Sequence, residues 1–220
     1  MRLISKALVT CALALMAVPV FADSATTKSV PPVAAWKKLA VGNARFATGH
    51  TQHPNQTRDR REEVAKGQHP IAVIVACSDS RVSPELVFDQ GLGDLFIVRV
   101  AGNIVDDNAL GSIEYAVEHL GARLIVVVGH EKCGAVAAAV ASDHADGHVD
   151  SIVKAIQPAV VKAKAEQGDV VDNAVKENVR QVVAEIRTSE PVLEKLVKSG
   201  KIGVIGARYD LDSGRVQLVK

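Results

Sequence analysis

Short runs of apolar, largely β-branched residues, broken only by Arg99, stand out at 71–76, 95–100, 124–128 and 202–205. Runs of this length without polar alternation predict strands buried on both faces, the pattern of a parallel sheet. Between them the apolar positions change to helical spacing. Leu110, Ile113, Val117 and Leu120 share one helix face, and Gly121 marks that helix's end. Val171, Val175, Val179, Val182 and Ile186 mark a longer amphipathic helix. Ser83-Pro84-Glu85 reads as a helix start, with a cap, a first-turn proline and a first-turn acid. Trp36, Leu39, Ala40 and Phe46 give residues 36–46 the pattern of an amphipathic arm with little core of its own chain to cover. Strands alternating with helices predict an α/β fold, a mostly parallel central β-sheet flanked by helices, with right-handed crossovers and an N-terminal helical arm.

The first residues carry a different pattern. Arg2 and Lys6 precede an apolar run over 7–20, and Val20-Phe21-Ala22 offers small residues at the two recognition positions of a cleavage site. The run contains Pro19 and falls short of the ~20 apolar residues that a membrane span needs. Residues 1–22 are therefore expected to be a cleaved signal peptide, leaving a periplasmic or secreted protein with no membrane attachment. Residues 23–32, rich in Ser, Thr and Pro without an apolar period, read as a flexible linker. Residues 33–220 read as one domain, long enough to bury a core of its own. Cleavage would remove Arg2 and Lys6 but no acid, taking the basic count from 26 to 24 against 25 acids and the net charge to about −1. Basic residues are scattered and aromatics sparse, so neither the electrostatic footprint nor the stacking platform of a nucleic-acid binder is present.

Cleavage would also take Cys11, leaving Cys77 and Cys133. In an exported protein two cysteines suggest a single disulfide. Their neighbours argue for a metal instead. His130 lies three residues before Cys133, a metal-pair spacing, while Asp79 and Arg81 crowd Cys77 with charges that a buried bridge does not need. Cys77, His130 and Cys133 form a Cys2His set of three protein ligands, and catalytic zinc sites leave the fourth position open for water or substrate. Both segments follow predicted strands directly, at the edge where open α/β sheets bind ligands. Other motifs fail on their own terms. Gly129 and Gly134 have phosphate-loop spacing, but Ala135-Val136 stands where Lys and Ser/Thr are required. Gly91-Leu-Gly93 lacks a third glycine and precedes its strand, and His144 and His148 fall in an Asp/Gly-rich loop that is expected to be solvated.

Cys77-Ser-Asp79-Ser-Arg81-Val82 and His130-x-x-Cys133-Gly134 resemble the two metal motifs of the β-class carbonic anhydrases. Gly93-Asp94-Leu-Phe96-x-x-Arg99-x-Ala-Gly-Asn103, Ile113-Glu-Tyr115-Ala-Val117, Asn178-Val179 and Gly206-x-x-Tyr209-Asp210 follow in that family's order, so the resemblance runs from about Trp36 to the C-terminus. It implies that residues 33–220 are the catalytic domain and that Cys77, His130 and Cys133 hold Zn2+. It implies a charge pair of Asp79 and Arg81 beside the metal, with Asp79 able to serve as a fourth ligand in a closed state. Gln68 would bind substrate, Phe96 and Tyr115 would line a narrow pocket partly walled by a second subunit, and Gly134 would turn its backbone N–H to the substrate. A homodimer or higher even oligomer follows. Ile74 stands where a bicarbonate-inhibited subtype carries Trp, and Gln68 is present where that subtype lacks it, which implies the non-allosteric, plant-like subtype.

The implied reaction is zinc-dependent, reversible hydration of carbon dioxide to bicarbonate and a proton by zinc-hydroxide attack. Two thiolates donate more charge than imidazoles, so an alkaline-leaning rate profile is expected. Two rivals keep parts of the same reading. Carbon disulfide or carbonyl sulfide hydrolysis on the same scaffold would differ in pocket and tunnel shape. A non-catalytic, disulfide-bridged or metal-storing periplasmic binding protein would keep both cysteines but give Asp79 and Gln68 no task.

Overall fold

The computed structural model describes residues 29–220; the expected signal peptide and most of the expected linker lie outside the described residues. One five-stranded sheet runs in the order β2-β1-β3-β4-β5, with β1 at Ala72–Ala76, β2 at Leu95–Arg99, β3 at Leu124–His130, β4 at Gly203–Tyr209 and β5 at Val216–Val219. The first four strands are parallel and β5 is antiparallel to β4. The helices are α1 (Pro32–Ala47), α2 (Arg58–Val64), α3 (Pro84–Val87), α4 (Asp107–Glu118), α5 (Gly134–Ala141), α6 (Val149–Ala163), α7 (Val170–Thr188) and α8 (Leu193–Lys198), with a 3-10 turn at Ala101–Asn103. Among the described residues no helix is long and apolar enough to cross a membrane.

Period-two alternation sorts the central strands between two cores. Val73, Val75, Ile125 and Val127 meet Ile113 and Val117 of α4 and Val179, Val182 and Ile186 of α7. Ala72, Ile74, Ala76, Val126 and Val128 face the other way, onto Ala35 and Leu39 of α1 and Val87 and Phe88 at the end of α3. Every residue of β1 is fully buried. At about 1.5–3 kcal/mol for each fully buried Val or Ile, the central strands are the firmest support available to a residue at their ends.

Pro32, at the end of the expected linker, begins α1, where a proline's missing N–H is one the helix would leave unpaired anyway. Two expectations change. The arm is not bare of core: Ala35 and Leu39 are fully buried against their own chain's sheet, while Ala40 faces out. Last, β4 continues past residue 205 to Tyr209, pairing Gly206, Ala207 and Arg208 with Val127, Val128 and Gly129. The half-buried edge strand β5 beside it is too short for its alternation to be legible.

A third core closes the carboxyl ends of the strands. Cys77 and Cys133 sit there with Val136 and Ala139 of α5, Val153, Ile156 and Val160 of α6, and Val175 of α7.

Candidate active site

Parallel pairing sets Ala76 of β1 opposite Val128 of β3, so the two strands end side by side. Cys77 is the first residue beyond β1, His130 is the last of β3, and Cys133 is the cap of α5. Between the latter two, Lys132 adopts a left-handed backbone (φ 53°), which folds the chain back on itself. The ligand atoms of Cys77, His130 and Cys133 all lie within 4.8 Å of one another, and all three residues are buried.

The two sulfurs stand 4.0 Å apart and both cysteines are free. A disulfide needs about 2.0 Å, whereas two thiolates on a tetrahedral Zn2+ at Zn–S distances near 2.3 Å lie about 3.8 Å apart. The imidazole is equally suited to a metal. Its Nδ1 is 2.9 Å from the Glu131 carbonyl, which can only accept, so the proton is on Nδ1 and the Nε2 lone pair is bare. That Nε2 is buried and has no hydrogen-bond partner.

Between the sulfurs one proton is shared unequally. The Cys77 thiol is pushed well below its ordinary value, first by the hydrogen bond from Cys133 against the opposing effect of burial, then by the Asp79 and Gly102 N–H groups. Cys133 is pushed up by the same pairing and by its burial. Gly102 N–H lies 3.2 Å from the Cys77 sulfur.

Asp79 is held from several sides. Arg81 donates Nε to Oδ1 at 2.9 Å and Nη2 to Oδ2 at 2.7 Å, and the Arg81 backbone N–H also reaches Oδ1 at 2.9 Å. The Arg81 guanidinium holds the Asp79 carboxyl well below the usual carboxylate range, so it stays ionised. Its Oδ2 lies 3.8 Å from His130 Nε2. Arg99, at the end of β2, clamps the same turn, donating to the Cys77 carbonyl at 2.9 Å and the Asp79 carbonyl at 2.7 Å.

Gly134 is exposed at the start of α5, beside Cys133, with open space where a Cβ would stand. The remaining expected pocket residues are not gathered there. Gln68 is exposed on the loop entering β1 at its amino end, with five residues of strand, roughly 16 Å, between that end and Cys77. Phe96 is opposite Val73, also toward the amino end, on the outermost strand of the sheet. It pairs with the half-exposed Tyr115 at a ring separation of 6.4 Å. Arg99 and Gly102 were legible only as motif residues without a role. A Gly-Asn pair shortly after a strand was the available signal, since Gly102 (φ 70°) and Asn103 (φ 47°) both take the left-handed backbone of a tight turn, in which the Gly102 N–H meets the Cys77 sulfur while the Asn103 N–H bonds the Val100 carbonyl.

The carbonic anhydrase family model matches residues 72–216. Carbonic anhydrase 2 of Mycobacterium tuberculosis is 44% identical over 191 residues, covering 85% of this chain and 92% of that protein. Among solved structures, a tetrameric β-carbonic anhydrase of Sordaria macrospora superposes with a TM-score of 0.68 at 26% identity, covering 82% of this chain and 94% of that one. The Coccomyxa β-carbonic anhydrase in complex with acetazolamide superposes with a TM-score of 0.65 at 30% identity, covering 72% of this chain and 75% of that one. Likeness in sequence and likeness in fold thus converge, and the chain belongs to the β-class carbonic anhydrases.

Proposed function

We propose that this enzyme hydrates carbon dioxide reversibly to bicarbonate and a proton by means of one Zn2+ held by Cys77, His130 and Cys133. The observation that carries the reading is the bare, buried Nε2 of His130 beside two sulfurs 4.0 Å apart that are not joined in a disulfide. Two thiolates and an imidazole form a set suited to Zn2+ rather than to Mg2+ or Ca2+, which take oxygen ligands. Bound there, Zn2+ supplies the Lewis acidity that makes hydroxide available near neutral pH, a property best known from carbonic anhydrases with a different ligand set.

The chain's own groups do the orienting. Asp79, fixed by Arg81, accepts a hydrogen bond from the attacking oxygen and so turns its lone pair toward the substrate carbon. The Gly134 N–H, at the open start of α5, faces the substrate. Gln68, Phe96 and Tyr115 serve the site of a second copy, a reading supported by their position on the outer edge and amino end of the sheet. The enzyme works as a homodimer or a higher even oligomer of the non-allosteric subtype. Export is proposed as well, with cleavage after Ala22 and a periplasmic or secreted destination, supported by the pattern of residues 1–22.

Stopped-flow carbon dioxide hydration, with matched zinc-free protein, tests the reading. One zinc per chain is expected, with activity lost on chelation, restored by zinc and blocked by acetazolamide. His130→Ala should lose metal and activity together. Undiminished turnover in metal-free protein would overturn the proposal, and turnover of carbonyl sulfide with none of carbon dioxide would establish the rival hydrolase.

A further inference from the structure

Asn178 lies in the middle of α7, fully buried, and reaches across the fold to the metal-binding end of the sheet. Its Nδ2 donates to the Gly102 carbonyl at 2.7 Å, a contact spanning 76 residues of sequence. The N–H of the same Gly102 donates to the Cys77 sulfur at 3.2 Å. One residue is thereby held by its carbonyl while its amide holds the sulfur.

The surroundings leave this turn little freedom. A Cβ on Gly102 would stand 2.7 Å from Ile156 Cδ1 and 3.3 Å from Ala135 Cβ, so α6 and α5 wall the turn on its other side. The approach of α7 is equally defined. A Cβ on Gly129 of β3 would meet Val179 Cγ2 at 2.6 Å, and one on Gly206 of β4 would meet Val179 Cγ1 at 2.5 Å. The two glycines form a notch in the sheet that seats Val179, and the adjacent Asn178 is delivered to Gly102. A buried amide is costly where it is unbonded, and the Asn178 Oδ1 is buried without a partner, so an apolar side chain would fasten α7 to the sheet without that liability.

We propose that Asn178 is a positioning residue for the Cys77 thiolate, fixing the Gly102 peptide so that its N–H stays aimed at the sulfur and the sulfur stays aimed at the metal. The inference rests on the zinc reading above. Partners one step behind a ligand are typically worth 10–100-fold in metal affinity, and loss of an N–H bond to a thiolate also raises the energy of its sulfur electrons.

The test uses full-length protein loaded with Co2+, a spectroscopic substitute for Zn2+, in Asn178→Leu and Asn178→Ala, neither of which has a donor. Both are expected to lose metal to a chelator about tenfold faster than the wild type, with the thiolate-to-cobalt absorption band moved to longer wavelength. Val182→Ala, buried on the same helix, should lower the unfolding midpoint and move neither readout. Full cobalt loading with an unshifted band and wild-type stripping in both Asn178 variants would overturn the inference alone. A wild-type protein that takes up no stoichiometric metal would overturn the zinc reading and this inference with it. Should neither variant fold, cadmium-113 loaded wild-type protein decides: a cadmium coupling on the Gly102 amide proton is expected, and its absence refutes the proposal.

Discussion

Arg81 grips both carboxylate oxygens of Asp79, at 2.9 and 2.7 Å, and in that grip Asp79 Oδ2 stops 3.8 Å short of His130 Nε2. Zinc accepts an aspartate oxygen at about 2.0–2.2 Å, so the guanidinium competes for the oxygens that would otherwise fill the fourth position. Arg81→Ala is expected to keep stoichiometric zinc and to lose activity by about a hundredfold, the scale of loss when a reacting group is misplaced. X-ray absorption should find a carboxylate oxygen on the metal. Asp79→Ala should lose activity too but leave the metal open to small anions. Near-wild-type turnover in Arg81→Ala, with water on the zinc, would show that no latch exists.

A site built across two chains makes a distinct prediction from the separation of Gln68 and Cys77 along β1. Gln68→Ala and His130→Ala should each be nearly inactive alone. Co-expressed, half of the dimers are mixed, and each of these holds one site with an intact metal set and an intact glutamine from the other chain. Activity should return to roughly a quarter of wild type. No recovery in a mixed population verified by mass spectrometry would mean that Gln68 serves its own chain or no site at all.

The metal set was legible because its chemistry depends on residue type and local spacing. Two thiols and an imidazole just after apolar runs leave few other readings. Arg99, Gly102 and Asn178 were not legible in role, since each acts through a contact 20 or more residues away that only the fold creates. The arm departs from its pattern for a related reason. An amphipathic face tells that Leu39 is buried, not which surface buries it, and here it is the sheet of the same chain. Val216 and Leu218 do alternate with Gln217, but four residues at a sheet edge give too little pattern to separate a strand from a tail.

Acid should reveal one of the ties near the site. Asp210 follows β4 and accepts from the Ser213 N–H and hydroxyl at 2.9 and 2.8 Å and from Arg208 at 3.2 Å. The Ser213 groups lead in bringing its pKa down to about 2 from an ordinary 3.8. A depressed carboxyl contributes stability above its unfolded pKa and loses it as pH falls through the folded one, so the contribution should fade between about pH 4 and pH 2. In urea unfolding, Asp210→Asn should be less stable than wild type at pH 6, with the gap narrowing over that window. Metal release at low pH is common to both proteins and does not set the difference. A gap that is constant with pH would rule this out.

The glycine notch under α7 can be tested by coupling. In Gly206→Ala the new methyl would lie 2.5 Å from Val179 Cγ1 and 3.3 Å from Val183 Cγ2. Both neighbours are β-branched and stiff at χ1, so the helix itself must move. Overpacking of this kind costs about 1–3 kcal/mol. Val179→Ala alone should cost a similar amount by leaving a cavity. Combined, the two changes exchange volume across one contact, so the double variant should be more stable than the sum of the single losses implies, by about 0.5–3 kcal/mol. Urea unfolding of all four proteins at one fixed concentration measures this, since stability of an oligomer depends on concentration. Strict additivity would mean that α7 does not owe its seat on the sheet to the contact between Gly206 and Val179.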